Sequence, residues 1–349
     1  MKNRQWIQMT IAYQETGAVP YNFMFTPPAE EIALRHYGGD SIEEILDLPI
    51  RMNALKSIKP LFAKPAIYGE TIRDEFGVVW CTNNIDRGVP IGPCLAEPDL
   101  SHYQFPDAIA SYRFEDLGKW CQDNREHYTI IWIGDLWERA TFMRGMENIL
   151  KDLILNPKFV EELLRHITDY LLETMGVLFD RFAFDGIALS DDYGAQKSML
   201  MSPTHWRRLI KPRLAEIYTF AKSHGRTVFH HSCGNIYPII GDMVDIGVDI
   251  LHPIQPEVLD IFKLKREFGR ELTFCGGIRT QDLLPRGTVG EVRNEVRKLI
   301  REIGRGGGYI LEPGISIQAD VPLDNLVAMI DEAMTSRRNF YPQCKKLGA

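Results

Sequence analysis

The chain has 349 residues, 45% hydrophobic and 25% charged, with a formal net charge of -7. That balance excludes general disorder and disfavours a nucleic-acid partner, because nucleic-acid binders carry a basic face. No apolar run approaches the roughly 20 residues of a membrane helix. The opening MKNRQWIQMT lacks the apolar core of a signal peptide, so a cytoplasmic chain without a membrane partner is expected. Its six scattered cysteines read, in a reducing compartment, as free thiols or metal ligands.

In chain order, a first strand is expected near residues 20–25 and a second near 64–67. Residues 68–126 are turn-rich, with a hairpin over 75–82, and read as an insertion over a barrel mouth. From residue 127 onward, strand-like runs alternate with amphipathic segments. The runs are 128–134, 184–191, 227–233, 248–253, 272–276 and 309–313, each apolar on both faces, as buried parallel strands are. Residues 157–181 repeat apolar side chains at a helical period. Residues 202–223 open with a Ser-Pro start signal, and 288–303 open with a capping box, Thr288 and Glu291. Strand–helix repetition with short connections implies parallel strands and right-handed crossovers. The count of eight strands predicts a single α/β domain over 1–349, a (β/α)8 TIM-type barrel.

Active sites of such barrels lie at the C-terminal strand ends. There the sequence places Asp191, Asp192, Tyr193 and Gln196; His230, His231 and Cys233; His252 and Gln255; Cys275 and Arg279; and Glu312. His231 and Cys233 are two apart on a strand, so both face the interior and can hold two positions of a zinc site. The alternative is a buried histidine beside an apolar cysteine. Third-ligand candidates are Cys275 and Glu312, with Asp191 or Asp192 further choices. Adjacent Asp191 and Asp192 face opposite ways, so at most one works in the pocket. His252, Tyr193 and Gln196 are candidate pocket residues. Arg279 suits an anionic substrate group or a structural acid equally. The glycines at 304–308 precede a strand and lack a P-loop lysine, so they read as a turn.

The run HHSCGNIYPIIGDMVDIGVDILHPIQP, with LTFCGGI and GGGYILEPGISIQADVPLDNLVAMI, resembles the uroporphyrinogen decarboxylase superfamily. The resemblance implies a (β/α)8 barrel. It also implies one of two activities, porphyrinogen decarboxylation or zinc-dependent methyl transfer involving a corrinoid protein. Decarboxylases of the family carry an R-Q-A-G-R motif after the first strand to hold acidic side chains. Here no arginine occurs between Arg4 and Arg35, and the matching segment is aromatic and apolar. The coenzyme-M-methylating members bind zinc with H-x-C and a later P-G-C cysteine. His231 and Cys233 match the first part, but Ile315 stands where the later thiol would be.

The resemblance therefore favours the demethylating half-reaction. A small methylated donor, a methoxylated aromatic, would give its methyl to the Co(I) corrinoid of a partner protein. Phe23, Phe25, Tyr193, Trp137 and Phe142 could wall a flat pocket. The departing oxygen needs a Lewis acid or a proton donor. Zinc on His231, Cys233 and Cys275 would serve. Without zinc, Glu312 or Asp191 would act as the acid, or His230 or Tyr193 would donate. The alternatives are a decarboxylase of a porphyrinogen-like acid and a non-catalytic corrinoid-binding protein. A homodimer is compatible with the sequence.

Overall fold

A computed structural model describes residues 2–57, 70–81 and 88–340. The chain opens with helix α1 (Asn3–Ile11), an extended segment at 21–25, helices α2 (Pro27–Tyr37) and α3 (Ile42–Ile45), and strand β1 (Ile50–Ala54). Strands β2 (Thr71–Arg73), β3 (Val79–Cys81) and β4 (Val89–Gly92) form a small antiparallel sheet, followed by α4 (Leu117–Asp123). Strand and helix then alternate. The order is β5 (Tyr128–Gly134), α5 (Trp137–Arg144), α6 (Met146–Leu155), α7 (Pro157–Arg181), β6 (Gly186–Ser190), α8 (Pro203–Leu209) and α9 (Lys211–Ser223). It continues with β7 (Thr227–His231), α10 (Ile240–Asp245), β8 (Ile250–Ile254), α11 (Ile261–Phe268) and β9 (Thr273–Ile278). The last elements are α12 (Leu283–Arg286), α13 (Val289–Glu302), β10 (Tyr309–Pro313) and α14 (Leu323–Phe340).

The main sheet has seven parallel strands in the order β1-β5-β6-β7-β8-β9-β10. Alternation along each strand sorts the side chains. Ile130, Ala188, Phe229, Ile250, Cys275 and Ile310 form one interior cluster, whereas Ile131, Ile187, Val228, Leu251 and Phe274 pack in the layer shared with the helices. Ile50 from one edge strand and Ile310 from the other share the interior cluster, so the sheet curls until its edges meet around one core. Ile7 of α1 joins that cluster and plugs its N-terminal end. This is the α/β barrel the alternation predicts.

The segment at 21–25 takes the eighth position. Tyr21 bridges Leu311 and Phe25 bridges Ile317, both in parallel. It stays two bridges and not a ladder, because Pro313 brings no N–H to the intervening pairing. The strand beside β5 is β1, which the sequence reading missed, and the expected strand at 64–67 lies outside the described residues. IRMNA reads poorly as a strand because Arg51 is buried. Its guanidinium is satisfied by the carbonyls of Leu48 and Glu43.

The helix starts follow the local chemistry. Thr288 and Glu291 form the expected capping box of α13. The single helix expected over 202–223 is broken into α8 and α9 at Ile210, where Pro212 cannot donate into the preceding turn. The hairpin expected at 75–82 is the β2–β3 pair, turning through Gly77 at φ +88°; Thr82 lies outside the described residues. Asp74 anchors that turn: Oδ1 accepts the N–H of Phe76 and Val78, and Oδ2 accepts from Trp80 Nε1 and Arg139 Nη1. The small sheet is thereby tied to α5. No helix among the described residues is long and apolar enough to cross a membrane.

Candidate active site

A cavity of about 710 Å³ opens at the C-terminal ends of the strands. Phe23, Phe25, Phe76, Trp132 and Tyr170 give it aromatic walls, and His231, Cys233 and His252 line it as well. Two loops are pressed together beside it. A Cβ on Gly234, at φ +82°, would sit 2.4 Å from the backbone carbon of Gly194, so only glycine allows the loops after β6 and β7 to touch. Gly234 also donates its N–H to Gln255 Oε1 at 2.6 Å, which holds the loop after β8 to the same point.

His231 and Cys233 converge as their spacing predicts. Cys233 Sγ lies 3.5 Å from His231 Nε2, and Asp192 Oδ1 lies 3.5 Å from the same nitrogen. Tetrahedral zinc with ordinary Zn–S, Zn–N and Zn–O bond lengths would separate such ligand atoms by ~3.4 to 3.6 Å. The donor set of one imidazole, one thiol and one carboxylate therefore fits zinc in both spacing and chemistry. As neutral imidazole, thiolate and carboxylate it also balances a divalent charge. Burial works against charging His231, but Cys233 and Asp192 outweigh it and hold its pKa well above the usual imidazole value.

The third member is Asp192, not Cys275. Cys275 belongs to a second triad with His252 and Glu312, deeper in the barrel and fully buried. The separation arises because β9 and β10 place Cys275 and Glu312 side by side below the cavity. Cys275 Sγ donates to Glu312 Oε2 at 2.9 Å, and Asn22 Nδ2 reaches both carboxylate oxygens at 3.1 and 3.2 Å. Burial pushes the Glu312 pKa up to about 7, against those hydrogen bonds. Burial and the neighbouring Glu312 push the Cys275 thiol up. His252 Nε2 faces Glu312 Oε2 at 3.8 Å, and burial first, then the charge on His231, depresses its pKa.

The remaining expected site residues separate into those at the cavity and those away from it. Phe25 and His252 line it; Glu312 does not and stands behind His252. Asp191 points away. Its Oδ1 accepts the N–H of Leu136 and Glu138 at 3.0 and 2.9 Å, and its Oδ2 accepts the Tyr193 hydroxyl at 2.8 Å. Both oxygens are spent fastening the β5–α5 junction, so Asp191 is no acid for a substrate. His230, one residue from His231, faces the helical layer, where its Nδ1 meets the Tyr218 hydroxyl at 2.5 Å and its ring stacks on Tyr193. It is fully buried and does not reach the cavity, nor does Tyr193. Gln196 is exposed on the turn between Gly194 and Met199. Arg279 pairs with Asp282 at 2.9 Å and Glu295 at 3.6 Å, away from the cavity. Trp137 is core and Phe142 packs edge-on against Trp80. The residues the sequence reading overlooked include Phe76, Trp132, Tyr170 and Asn22. Trp132 was detectable, since it stands near the C-terminal end of the expected strand 128–134, where active sites of such barrels lie.

Against known proteins, the family model for uroporphyrinogen decarboxylase (URO-D) matches residues 129–335. The methylcobamide:CoM methyltransferase MtaA of Methanosarcina barkeri is 27% identical over 146 residues, 42% of this chain and 40% of that protein. The protein of that name from strain Fusaro is 25% identical over the same extent. The match thus spans less than half the length of these relatives. A solved methyltransferase from Methanosarcina mazei superposes over 98% of this chain and 99% of its own, with a TM-score of 0.71 at 18% identity, a likeness of fold. With more than half its length matched by the family model, the chain belongs to the uroporphyrinogen decarboxylase family.

Proposed function

We propose that this chain is a corrinoid-dependent methyltransferase. It takes the methyl group of a small methylated donor, a methoxylated aromatic, and delivers it to the Co(I) corrinoid of a partner protein. The observation that carries this reading is the Asp192–His231–Cys233 triad set at an aromatic-walled cavity. The partial likeness to a methylcobamide methyltransferase supports the reaction class.

The residues divide the work. Phe25, Phe76 and Trp132 provide faces for a flat ring and keep water from the reacting bond. The triad fixes where the ether oxygen must sit, beside His231 Nε2 and Cys233 Sγ. Zinc held by Asp192, His231 and Cys233 would supply a Lewis acid for the charge that develops on the departing oxygen. Ile315 lines the cavity where the coenzyme-M branch places a thiol, so the site suits an apolar donor better than activation of a thiol acceptor. The mouth must admit a corrinoid, and we propose that the partner protein docks there, over the covering segment 68–126 of a single barrel domain. The five described cysteines are free thiols, in keeping with a reducing cytoplasm.

Decarboxylation of a porphyrinogen-like acid is the poorer fit. That substrate needs unpaired cations. Among the described residues, the two arginines lining the cavity are already paired, Arg113 with Glu75 at 3.0 Å and Arg139 with Asp74 at 2.9 Å. The test is to mix zinc-loaded protein with cob(I)alamin and a series of methoxylated aromatics and to follow the cobalamin spectrum. Conversion to methylcobalamin with release of the phenol supports the proposal. No conversion with any donor, alongside decarboxylation of a porphyrinogen, refutes it.

A further inference from the structure

Two triads of side chains able to hold a metal lie next to each other on the barrel interior: Asp192–His231–Cys233, of which His231 and Cys233 line the cavity, and His252–Cys275–Glu312, of which only His252 reaches the cavity while Cys275 and Glu312 stand behind it. One contact joins them: His231 Nδ1 is 2.8 Å from His252 Nδ1. At that distance one nitrogen carries the hydrogen and the other accepts it, since two N–H groups or two bare nitrogens would repel. A neutral imidazole that ligates through Nε2 carries its hydrogen on Nδ1. The two histidines therefore cannot both ligate through Nε2 as neutral rings. The outer triad is partly exposed, whereas His252, Cys275 and Glu312 are at most 1% exposed. Access thus selects the outer one.

The consequence runs inward through the hydrogen bonds. With His231 Nε2 given to the metal, its Nδ1–H donates to His252 Nδ1. His252 must then carry its own hydrogen on Nε2. That nitrogen is buried with no hydrogen-bond partner inside 3.5 Å, and the group it faces is Glu312 Oε2 at 3.8 Å. Glu312 is in turn held by Asn22 and Cys275.

We propose that the chain holds one divalent metal ion, in the outer triad, and that His252 and Glu312 are positioning residues that lock His231 in the tautomer ligating through Nε2. This rests on the metal reading above. Metal-bound histidines are ordinarily fixed by an acceptor on the other ring nitrogen, and losing it weakens metal binding by roughly 10–100-fold. Here the acceptor is a second imidazole, oriented from the opposite side by a carboxylate on β10.

The experiment measures zinc stoichiometry and affinity, by chelator competition, for the wild type, His252→Phe, His252→Asn and Cys275→Ser. One zinc per chain is expected throughout. His252→Phe should bind it roughly 10–100-fold more weakly. His252→Asn, whose Oδ1 keeps an acceptor near Nδ1, should recover most of that loss, and Cys275→Ser should match the wild type. Ring-nitrogen NMR of the zinc-loaded wild type, which needs no variant, should show His231 protonated on Nδ1 and His252 on Nε2. Two zincs per chain, loss of zinc in Cys275→Ser, unchanged affinity in His252→Phe, or a His252 protonated on Nδ1 would overturn the inference and leave the metal reading standing. A wild type that takes up no zinc would overturn both.

Discussion

Asp192 Oδ1 accepts the backbone N–H of Cys233 at 2.7 Å while standing 3.5 Å from His231 Nε2. One oxygen thus fastens the end of β6 to the end of β7 and completes the outer triad. The two duties can be separated. Asp192→Asn keeps an acceptor for the Cys233 amide and loses the charge. It should lower zinc affinity at least about 10-fold while moving Tm by only a few degrees. Chelator competition and a melting curve on the same sample check this. A drop in Tm with zinc affinity intact would mean that Asp192 is only a fastener.

Asp191 has the opposite profile. Its carboxylate satisfies two backbone amides and the Tyr193 hydroxyl in a fully buried setting. Asp191→Ala strands those donors and should cost roughly 2–4 kcal/mol of stability, as measured by denaturant midpoint. The soluble fraction should still bind zinc.

His230 gives the protein a pH dependence of its own. Burial depresses its pKa to about 3, against an ordinary value of 6.5, and the charge on His231 adds to the effect. Protonation therefore favours the unfolded chain. The stabilising contribution is complete above pH 6.5 and is lost as the pH falls toward about 3. In that window each histidine proton taken up on unfolding costs about 1.4 kcal/mol per pH unit. Zinc-free protein should show a lower denaturant midpoint at pH 5 than at pH 7, and His230→Gln should have a shallower slope. Equal slopes would mean that other groups carry the acid sensitivity.

The small β2–β4 sheet is fastened to α5 by a buried ion pair. Arg139 meets Asp74 at 2.9 Å and lies 4.2 Å over the Phe76 ring. Arg139→Met should destabilise by roughly 3–5 kcal/mol, because it leaves a buried carboxylate without its cation. Arg279, which is 37% exposed and pairs with the half-exposed Asp282, is the contrast. Arg279→Ala should cost less than about 1 kcal/mol and leave the KM for the donor unchanged. Denaturant midpoints and steady-state kinetics check both variants.

The barrel was legible because parallel strands buried on both faces carry near-continuous apolar runs, as 128–134 and 272–276 do. β1 was not, because Arg51 within it breaks the apolar signal, and its burial is possible only because the carbonyls of Leu48 and Glu43 satisfy the guanidinium. In the site, the period of two placed His231 and Cys233 correctly on one face. The same rule separated Asp191 from Asp192 without saying which of them turns inward. That choice depends on the amides of Leu136 and Glu138, which a one-dimensional pattern does not contain. Cys275, one of the candidate third ligands, groups instead with His252 and Glu312, because strand position gives the direction of a side chain but not its depth in the barrel.

The most direct test of the account is transfer of a ¹³C-labelled methyl group from a methoxylated aromatic to cob(I)alamin by the zinc-loaded wild type and by Cys233→Ser. The account predicts labelled methylcobalamin and free phenol in equal amounts with the wild type, and loss of both with the variant. Label that stays on the aromatic in the wild type, or transfer that proceeds equally well in Cys233→Ser, would contradict it.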